Sequence, residues 1–338
     1  MTQSTPITMA TLKDVAVAAS VSPSTASRVL NGGSAVSPAL EERVRSAAAA
    51  LGYVSNSAAQ ALRGRPGAVA MLADDVGTEA VAEMAAALEA AAFEEGVIAT
   101  VSAAGGDPQT QMDAFSALRE LSPRALILTG RWTVAPATLR RLESELRDFS
   151  AEGGQVVQIG VGTLGYNSVG FDDRRVGVEL GHHMAASGRR SAVILAGRAQ
   201  HDAFRARTDG YIEGLRDGGV EDIRVIHSVV SREDGSAVLS VALDEFSPDM
   251  VLAANDRLAL GALAELERRG LSVPQDVLVC GVDDIPLATD VTPTLTTASL
   301  PFEQAGRDAF RLAMRPPGCA ITRVVLPGKV ILRESTAH

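Results

Sequence analysis

From residue 67 onward the chain alternates short apolar runs with amphipathic stretches of helical period. The runs are 68–72 (AVAML), 97–101 (VIATV), 125–129 (ALILT), 155–159 (QVVQI), 168–171 (SVGF), 192–196 (AVILA), 250–253 (MVLA) and 277–282 (VLVCGV). Between most of them, segments 79–95, 110–121, 135–149, 176–186, 205–217 and 256–269 read as helices. Continuous apolar strands joined by such crossovers indicate parallel sheets covered on both faces. The pattern before residue 67 is different, with short helices only. Leu12, Val15, Ala16 and Ala19 share one helical face. Ser22-Pro23 then opens a second helix, Ser22 as N-cap and Pro23 at the first helical position, where its missing N–H loses no partner. Ala26, Val29 and Leu30 face inward, which leaves Ser24, Thr25, Ser27 and Arg28 outside and Asn31 past the end. Ser37-Pro38 opens a third helix whose buried stripe is Leu40, Val44, Ala48 and Leu51, ended by Gly52.

Short hydrogen-bonding side chains plus one Arg on the second helix suit a DNA major groove. The same pattern fits an ordinary helical hairpin with a solvated face. Residues 56–67 (NSAAQALRGRPG) add a helix of only seven or eight residues, capped by Asn56 and ending at Gly64. A helix that short is marginal in water and forms when DNA or a partner chain supports it.

Charge sharpens this picture. The 338-residue chain carries a net charge of −10, which on its own argues against nucleic acid. Residues 1–66, however, hold six Lys/Arg against three acids, and the remainder holds 25 against 38. The head approaches phosphates while the body is repelled by them, which orients the protein and makes affinity salt-sensitive. Cys280 and Cys319 lie apart, with no CxxC or zinc spacing, and both are expected to be buried small hydrophobes. No signal sequence opens the chain and no apolar run approaches the length of a membrane span, so a cytoplasmic protein associated with the nucleoid is expected.

In open α/β sheets ligands bind beyond the C-terminal ends of the strands. The polar residues at those ends are Asp74 and Asp75, Arg131 and Trp132, Asp172 and Asp173, Asn255 and Asp256, and Asp283 and Asp284; Arg207 lies near His201 and Phe204. Carboxylates that accept paired hydroxyls, a forked Arg donor and an aromatic face are what a polyhydroxylated ligand needs. Asp256 reads as the cap of the helix that it opens, Asp284 as a turn residue, and Trp132 serves either the cleft or packing.

TLKDVA, VSPSTASRVLN, VSPALEERVRSAAAALGYVSN and AAQALRGR together make residues 11–66 resemble the DNA-binding head and hinge of the LacI/GalR family of bacterial transcriptional regulators. The resemblance continues to about residue 333. It implies a small all-α helix-turn-helix head (1–55), a hinge helix and linker (56–66), and a two-lobed α/β body with parallel sheets (67–333), similar to a periplasmic binding protein, that binds effector and dimerises. By the same resemblance Pro23, Ser24 and Arg28 read base edges, and Ser22, Thr25, Ser27 and Asn31 contact phosphates or bases. Leu62 matches the hinge leucine that wedges into the minor groove at the operator centre. Asp172, Arg207, Asn255 and Asp283 align with effector-contacting positions; Trp132 and Asp74, taken from the strand ends, are added to the effector candidates. The loop after the first body strand is shorter than usual in the family and lacks its aromatic residues. Ser20 stands where the family often has Gly, and Ala26 where Val is common. Interlobe crossings are expected near 161–167, 286–296 and 320–326.

The resemblance thus implies a homodimeric repressor of carbohydrate-metabolism genes that binds a pseudo-palindromic operator, takes a small sugar-like effector, and needs no cofactor, metal or membrane. A purine or nucleoside effector and a sugar-binding module without regulation are the alternatives. An enzyme is not expected, since no GxSxG, HExxH or P-loop sequence occurs. GVGTLG (160–165) matches GxGxxG, but its third Gly leads into a turn and a strand instead of a helix. His182-His183 reads as a surface pair at a helix end.

Overall fold

The computed structural model describes residues 10–30, 37–51, 53, 67–73, 75–104, 108–129 and 136–337. The chain divides into two units, Met1–Gly67 and Ala68–His338. In the first, α1 (Leu12–Ala18) starts in a capping box: Thr11 Oγ1 accepts from the Asp14 N–H, and Asp14 Oδ2 accepts from the Thr11 N–H at 2.8 Å. It ends in a Schellman motif, with Val21 N–H donating to Ala16 O and Ser20 N–H to Val17 O. Ser20 takes φ 53°, a left-handed backbone that Gly reaches at lower cost. That turn leads into α2 (Pro23–Leu30), where Ser22 Oγ accepts from the Thr25 N–H at 3.1 Å. α3 (Pro38–Ala50) is tied to the end of α1 by Arg43 Nε donating to Ala19 O at 3.1 Å. Val15, Ala16, Ala19, Ala26, Val29, Val44 and Ala48 form the core.

Two expectations for this unit fail. Ser27 is buried, not on the outer side; next to Ala26, its small side chain fits the inner face of a short helix. Leu51 is 41% exposed, because it sits at the cap of α3, beyond the last turn that the other helices cover.

The second unit contains two parallel sheets. The first runs in the order β11-β5-β4-β3-β1-β2, with β1 (Val69–Ala73), β2 (Ala99–Ala103), β3 (Ala125–Thr129), β4 (Gln155–Ile159), β5 (Asn167–Phe171) and β11 (Arg323–Leu326). Helices α4 (Glu79–Glu94) and α12 (Phe302–Ala313) cover one face through Met84, Leu88 and Phe310. Helices α5 (Pro108–Glu120) and α6 (Pro136–Ala151) cover the other through Phe115, Leu142 and Leu146. β1 and β3 are accordingly buried at every position. The second sheet runs β7-β6-β8-β9, from β6 (Ser191–Leu195), β7 (Asp222–Ile226), β8 (Met250–Ala253) and β9 (Leu278–Cys280). It lies between α7 (Asp173–Ala186) with α8 (Asp202–Asp217), and α9 (Arg232–Glu245) with α10 (Asp256–Arg268). Ile285, Ala288 of the short α11 (Leu287–Asp290) and Leu295 stay in this second lobe.

The crossings between lobes lie later than expected. Residues 160–166 join β4 to its neighbour β5 within one sheet, so the first crossing is at Phe171–Asp173. The second runs through β10 (Thr297–Ser299), and the third follows β11, through β12 (Lys329–Ile331), which pairs antiparallel with β10. The three crossings touch: the Asp172 N–H donates to Leu326 O at 3.0 Å, and a Cβ on Gly328 would meet Val176 and Leu300.

α7 and α8 approach backbone to backbone along Gly177, Gly181, Gly210 and Gly214. A Cβ on Gly210 would stand 2.2 Å from Arg174 O, and one on Gly177 2.4 Å from Arg207 O. Adding a methyl there pushes the helices apart. Gly210→Ala is therefore expected to destabilise the body by about 1–3 kcal/mol in urea unfolding; an unchanged midpoint would show that the seam yields.

Candidate functional site

On α2 the exposed face consists of Ser22, Pro23, Ser24 and Arg28, with Thr25 half-buried. Ser22 Oγ lies 2.8 Å from both Ser24 Oγ and Thr25 Oγ1, so one turn presents a linked set of hydroxyls that can each donate or accept. This is a surface suited to phosphate oxygens and base edges. Ser27 is turned into the core and is removed from the exposed set. Asn31 and Leu62 lie outside the described residues.

In the body, a cavity of about 640 Å³ lies between the lobes, at the strand ends. Its fixed point is Arg207 on the second turn of α8, 5% exposed. Its Nε donates to Asp173 Oδ1 at 2.7 Å, one terminal nitrogen donates to Ala254 O at 2.7 Å, and the same nitrogen is 3.3 Å from Asp283 Oδ1. Burial opposes its charge, but Asp173 and Asp283 outweigh burial and hold the guanidinium protonated. Burial pushes the Asp283 carboxyl up to about 6, with Asp173 and Glu79 adding to the rise and Arg207 opposing it. Phe204 lies under Arg207 at 5.6 Å and stacks on His201 with ring centres 4.3 Å apart. Asp283 and Asp284 both have left-handed backbones, φ 112° and 56°, a strained pair of the kind that clusters at ligand sites. Asp284 is tied outward, accepting from Arg333 at 2.6 Å.

In two neighbouring pairs the helix cap falls on a residue for which it was not expected. Asp172 caps α7, accepting from the Arg175 N–H at 3.3 Å, while Asp173 lines the cavity. Asn255 caps α10, accepting from the Leu258 N–H at 3.1 Å, although it also lines the cavity. Asp256, expected to be that cap, turns inward. It accepts from Thr297 Oγ1 at 2.6 Å and from the Ile285 N–H at 3.0 Å. Burial, then the charge of Asp283, pushes its carboxyl up to about 8 despite those hydrogen bonds. Burial and Asp256 together push the Cys280 thiol up as well. Trp132 and Asp74 lie outside the described residues.

Several lining groups were missed by sequence reasoning: Gln111, Thr129, Gln158, Arg198 and Arg323. Thr129 ends β3, so a search of strand ends that included hydroxyls would have found it. From lobe to lobe, Arg257 on α10 donates to Glu79 Oε2 at 2.9 Å and to Gly77 O on the α4 side.

The decoys resolve simply. Gly160, Gly162 and Gly165 all have positive φ in the β4–β5 turn, and no helix follows, so the segment is neither a dinucleotide site nor an interlobe crossing. His182 lies 3.3 Å from Asp217, and His183 2.9 Å from Thr336 Oγ1. Among the described residues no group of three His, Cys, Asp or Glu could hold a metal ion, and no helix is long and apolar enough to cross a membrane. Cys280 is buried as expected; Cys319 is exposed, in the polar segment before β11.

Residues 11–56 match the model for bacterial regulatory proteins of the lacI family, and residues 182–336 that for a periplasmic binding protein-like domain. The chain is 32% identical over 307 residues to the HTH-type transcriptional regulator GntR of Pseudomonas aeruginosa, covering 88% of this chain and 87% of that one. It is 30% identical over 342 residues to the HTH-type transcriptional regulator CelR of Thermobifida fusca, covering 96% and 98%. Among solved structures, the lac repressor dimer bound to operator and the anti-inducer ONPF is similar with a TM-score of 0.84 at 26% identity, over 98% of this chain and 100% of that chain. A CelR–cellobiose complex is similar with a TM-score of 0.71 at 27% identity, over 96% and 99%.

The raised Asp256 carboxyl makes a signed prediction. Folded near 8 and unfolded near 3.8, it keeps a proton in the native state that the unfolded chain has lost. Its contribution to stability is therefore complete below the unfolded value and declines as pH rises to about 8. Asp283 acts the same way only up to about 6. Asp256→Asn can still accept from Ile285 N–H and donate to Thr297, so it is expected to flatten the decline between pH 6 and 8 in urea unfolding. An unchanged slope in that window would show that Asp256 is ionised in the folded protein.

Proposed function

The chain belongs to the lacI family of bacterial regulatory proteins and is a DNA-binding transcriptional regulator, not an enzyme, and from that premise we propose that it is a homodimeric repressor of carbohydrate-metabolism genes, released from its operator by a sugar-like effector. It would act in the cytoplasm on the chromosome. Two heads (1–55) take the half-sites of a pseudo-palindrome, since a two-fold protein matches two-fold DNA. Ser22, Pro23, Ser24, Thr25, Arg28 and Asn31 make the contacts, Arg28 with the strongest base discrimination because its fork can pair with a guanine edge. The hinge segments (56–66) meet at the operator centre, where Leu62 opens one base step and the bend brings more protein onto DNA.

The observation that carries the effector reading is the Arg207–Asp173–Asp283 cluster with Phe204 stacked on His201 in one interlobe cavity. Fixed carboxylate acceptors, a forked donor and an aromatic face match a ligand with many hydroxyls and an apolar ring face. The similarity to a CelR–cellobiose complex points the same way. Asn255 belongs to this set, Asp172 stands beside it at the first crossing, and Trp132 and Asp74 are carried as further effector candidates. Effector binding shifts the lobe arrangement, and a coupling of about 1–3 kcal/mol is the typical size of such control.

The reading is tested by selecting bound duplexes from a random pool, then repeating the binding with a panel of sugars and nucleosides. Recovery of a palindrome released by a sugar is expected. Release by a nucleoside alone would change the effector class, and no enriched sequence would overturn the regulator reading. Arg28→Ala is expected to reduce discrimination between operator and random DNA by about 1–3 kcal/mol, or roughly 5- to 150-fold; an unchanged ratio argues against base readout. Leu62→Gly is expected to weaken operator binding while ligand affinity stays the same, and full operator affinity in that variant would remove the wedge.

A further inference from the structure

The charges lining the interlobe cavity do not balance pair by pair. Arg207 is held between Asp173 and Asp283, Asp202 accepts from Arg205 at 2.7 Å, and a fourth lining carboxylate, Asp75, accepts from the Gly77 N–H at 2.8 Å. Two other lining guanidiniums, Arg198 in the loop after β6 and Arg323 at the start of β11, make no hydrogen bond or ion pair with a described residue. They come from different lobes. Arg323 runs along the β4–β5 turn, where its Nε would be 3.8 Å from a Cβ on Gly162, next to Ser168 Oγ. Two further lining atoms are buried polar groups without a partner among the described residues. They are Gln111 Oε1 and Thr129 Oγ1, on residues 7% and 3% exposed. A buried amide oxygen in a cavity wall calls for a donor from whatever fills the cavity.

These groups ask for different things. Gln111 Oε1 and the two carboxylates beside Arg207 accept hydrogen bonds, so they fit hydroxyls. The Arg207 cluster holds one cation and two carboxylates and repels a further anion. The cations without carboxylate partners are Arg198 and Arg323, and guanidinium groups favour carboxylate or phosphate over neutral oxygen. We propose that the effector is a polyhydroxylated anion, a sugar acid or a phosphorylated sugar, whose charged group is neutralised by Arg198 and Arg323 while its hydroxyls meet Gln111, Thr129 and the Arg207 cluster. This rests on the reading of the cavity as a sugar-type effector site.

The test uses the purified full chain and calorimetric titration with matched sets: neutral sugars, the aldonic and uronic acids of the same carbon skeletons, and their phosphates. The anionic member of one set is expected to bind about tenfold or more tighter than its neutral parent, with affinity that falls as salt rises. R198Q and R323Q are each expected to weaken that binding about tenfold, with operator affinity and urea midpoint unchanged, since both side chains are exposed. The carboxylate and phosphate arms tell which anion is read. A neutral sugar that binds as tightly as its acid and its phosphate would overturn the inference and leave the sugar-effector reading standing. Anion binding untouched in both variants would also overturn it. Binding by no member of any set would overturn both.

Discussion

Arg207 is the interaction around which the body is arranged. A guanidinium out of contact with water is prohibitively costly unless charges and acceptors surround it. Here they come from three separate places: Asp173 at the start of α7, Ala254 O at the end of β8 and Asp283 beyond β9. Removing one partner of such a buried pair typically costs about 3–5 kcal/mol. The ends of these elements are thereby fixed with respect to one another, and the glycine seam between α7 and α8 lets Arg207 reach Asp173 by bringing the two backbones together. Packing of the second lobe and shape of the interlobe cavity are one arrangement.

The same cluster lies next to the chain's passages between lobes. Asp173 directly follows the first crossing, and the Asp283 N–H donates to Ala298 O in the second, at 2.8 Å. Arg257 and Glu79 add a direct tie from lobe to lobe. In the proposed function, a ligand that pulls on Arg207, Asp173 or Asp283 acts close to the segments that join the lobes. Switching of this kind needs only a difference in ligand affinity between two lobe arrangements, not a long relay.

Strands with both faces covered were plain in the sequence: 125–129, 155–159 and 250–253 are β3, β4 and β8 residue for residue. Edge strands were not. β7 (DIRVI) is largely exposed and has no apolar run, and β11, taken for a crossing, pairs with β5 from 155 residues earlier. At the site, Arg207 and Asp283 were named from strand ends and motif, and the structure brings them together. Neighbours one residue apart were harder. In Asp172-Asp173 and Asn255-Asp256 the first residue takes the cap and the second turns inward, because one helical step of about 100° sends adjacent side chains in different directions. Asp256 was read as the cap where Asn255 takes it, and Asp172, a ligand residue by resemblance, takes the cap of α7. Ser27 shows the same limit in the head, where a polar residue on a short helix was taken to face outward.

In the proposed function, cleft occupancy and operator binding belong to a single equilibrium, so each must alter the other by the same factor. The direct measurement is the affinity of the selected effector for the free protein and for the protein saturated with operator, set beside the operator affinity with and without effector. Two matching factors, each of roughly 5- to 150-fold and both weakening binding, are predicted. Effector affinity that is the same on and off the operator would contradict a regulator controlled through this cleft.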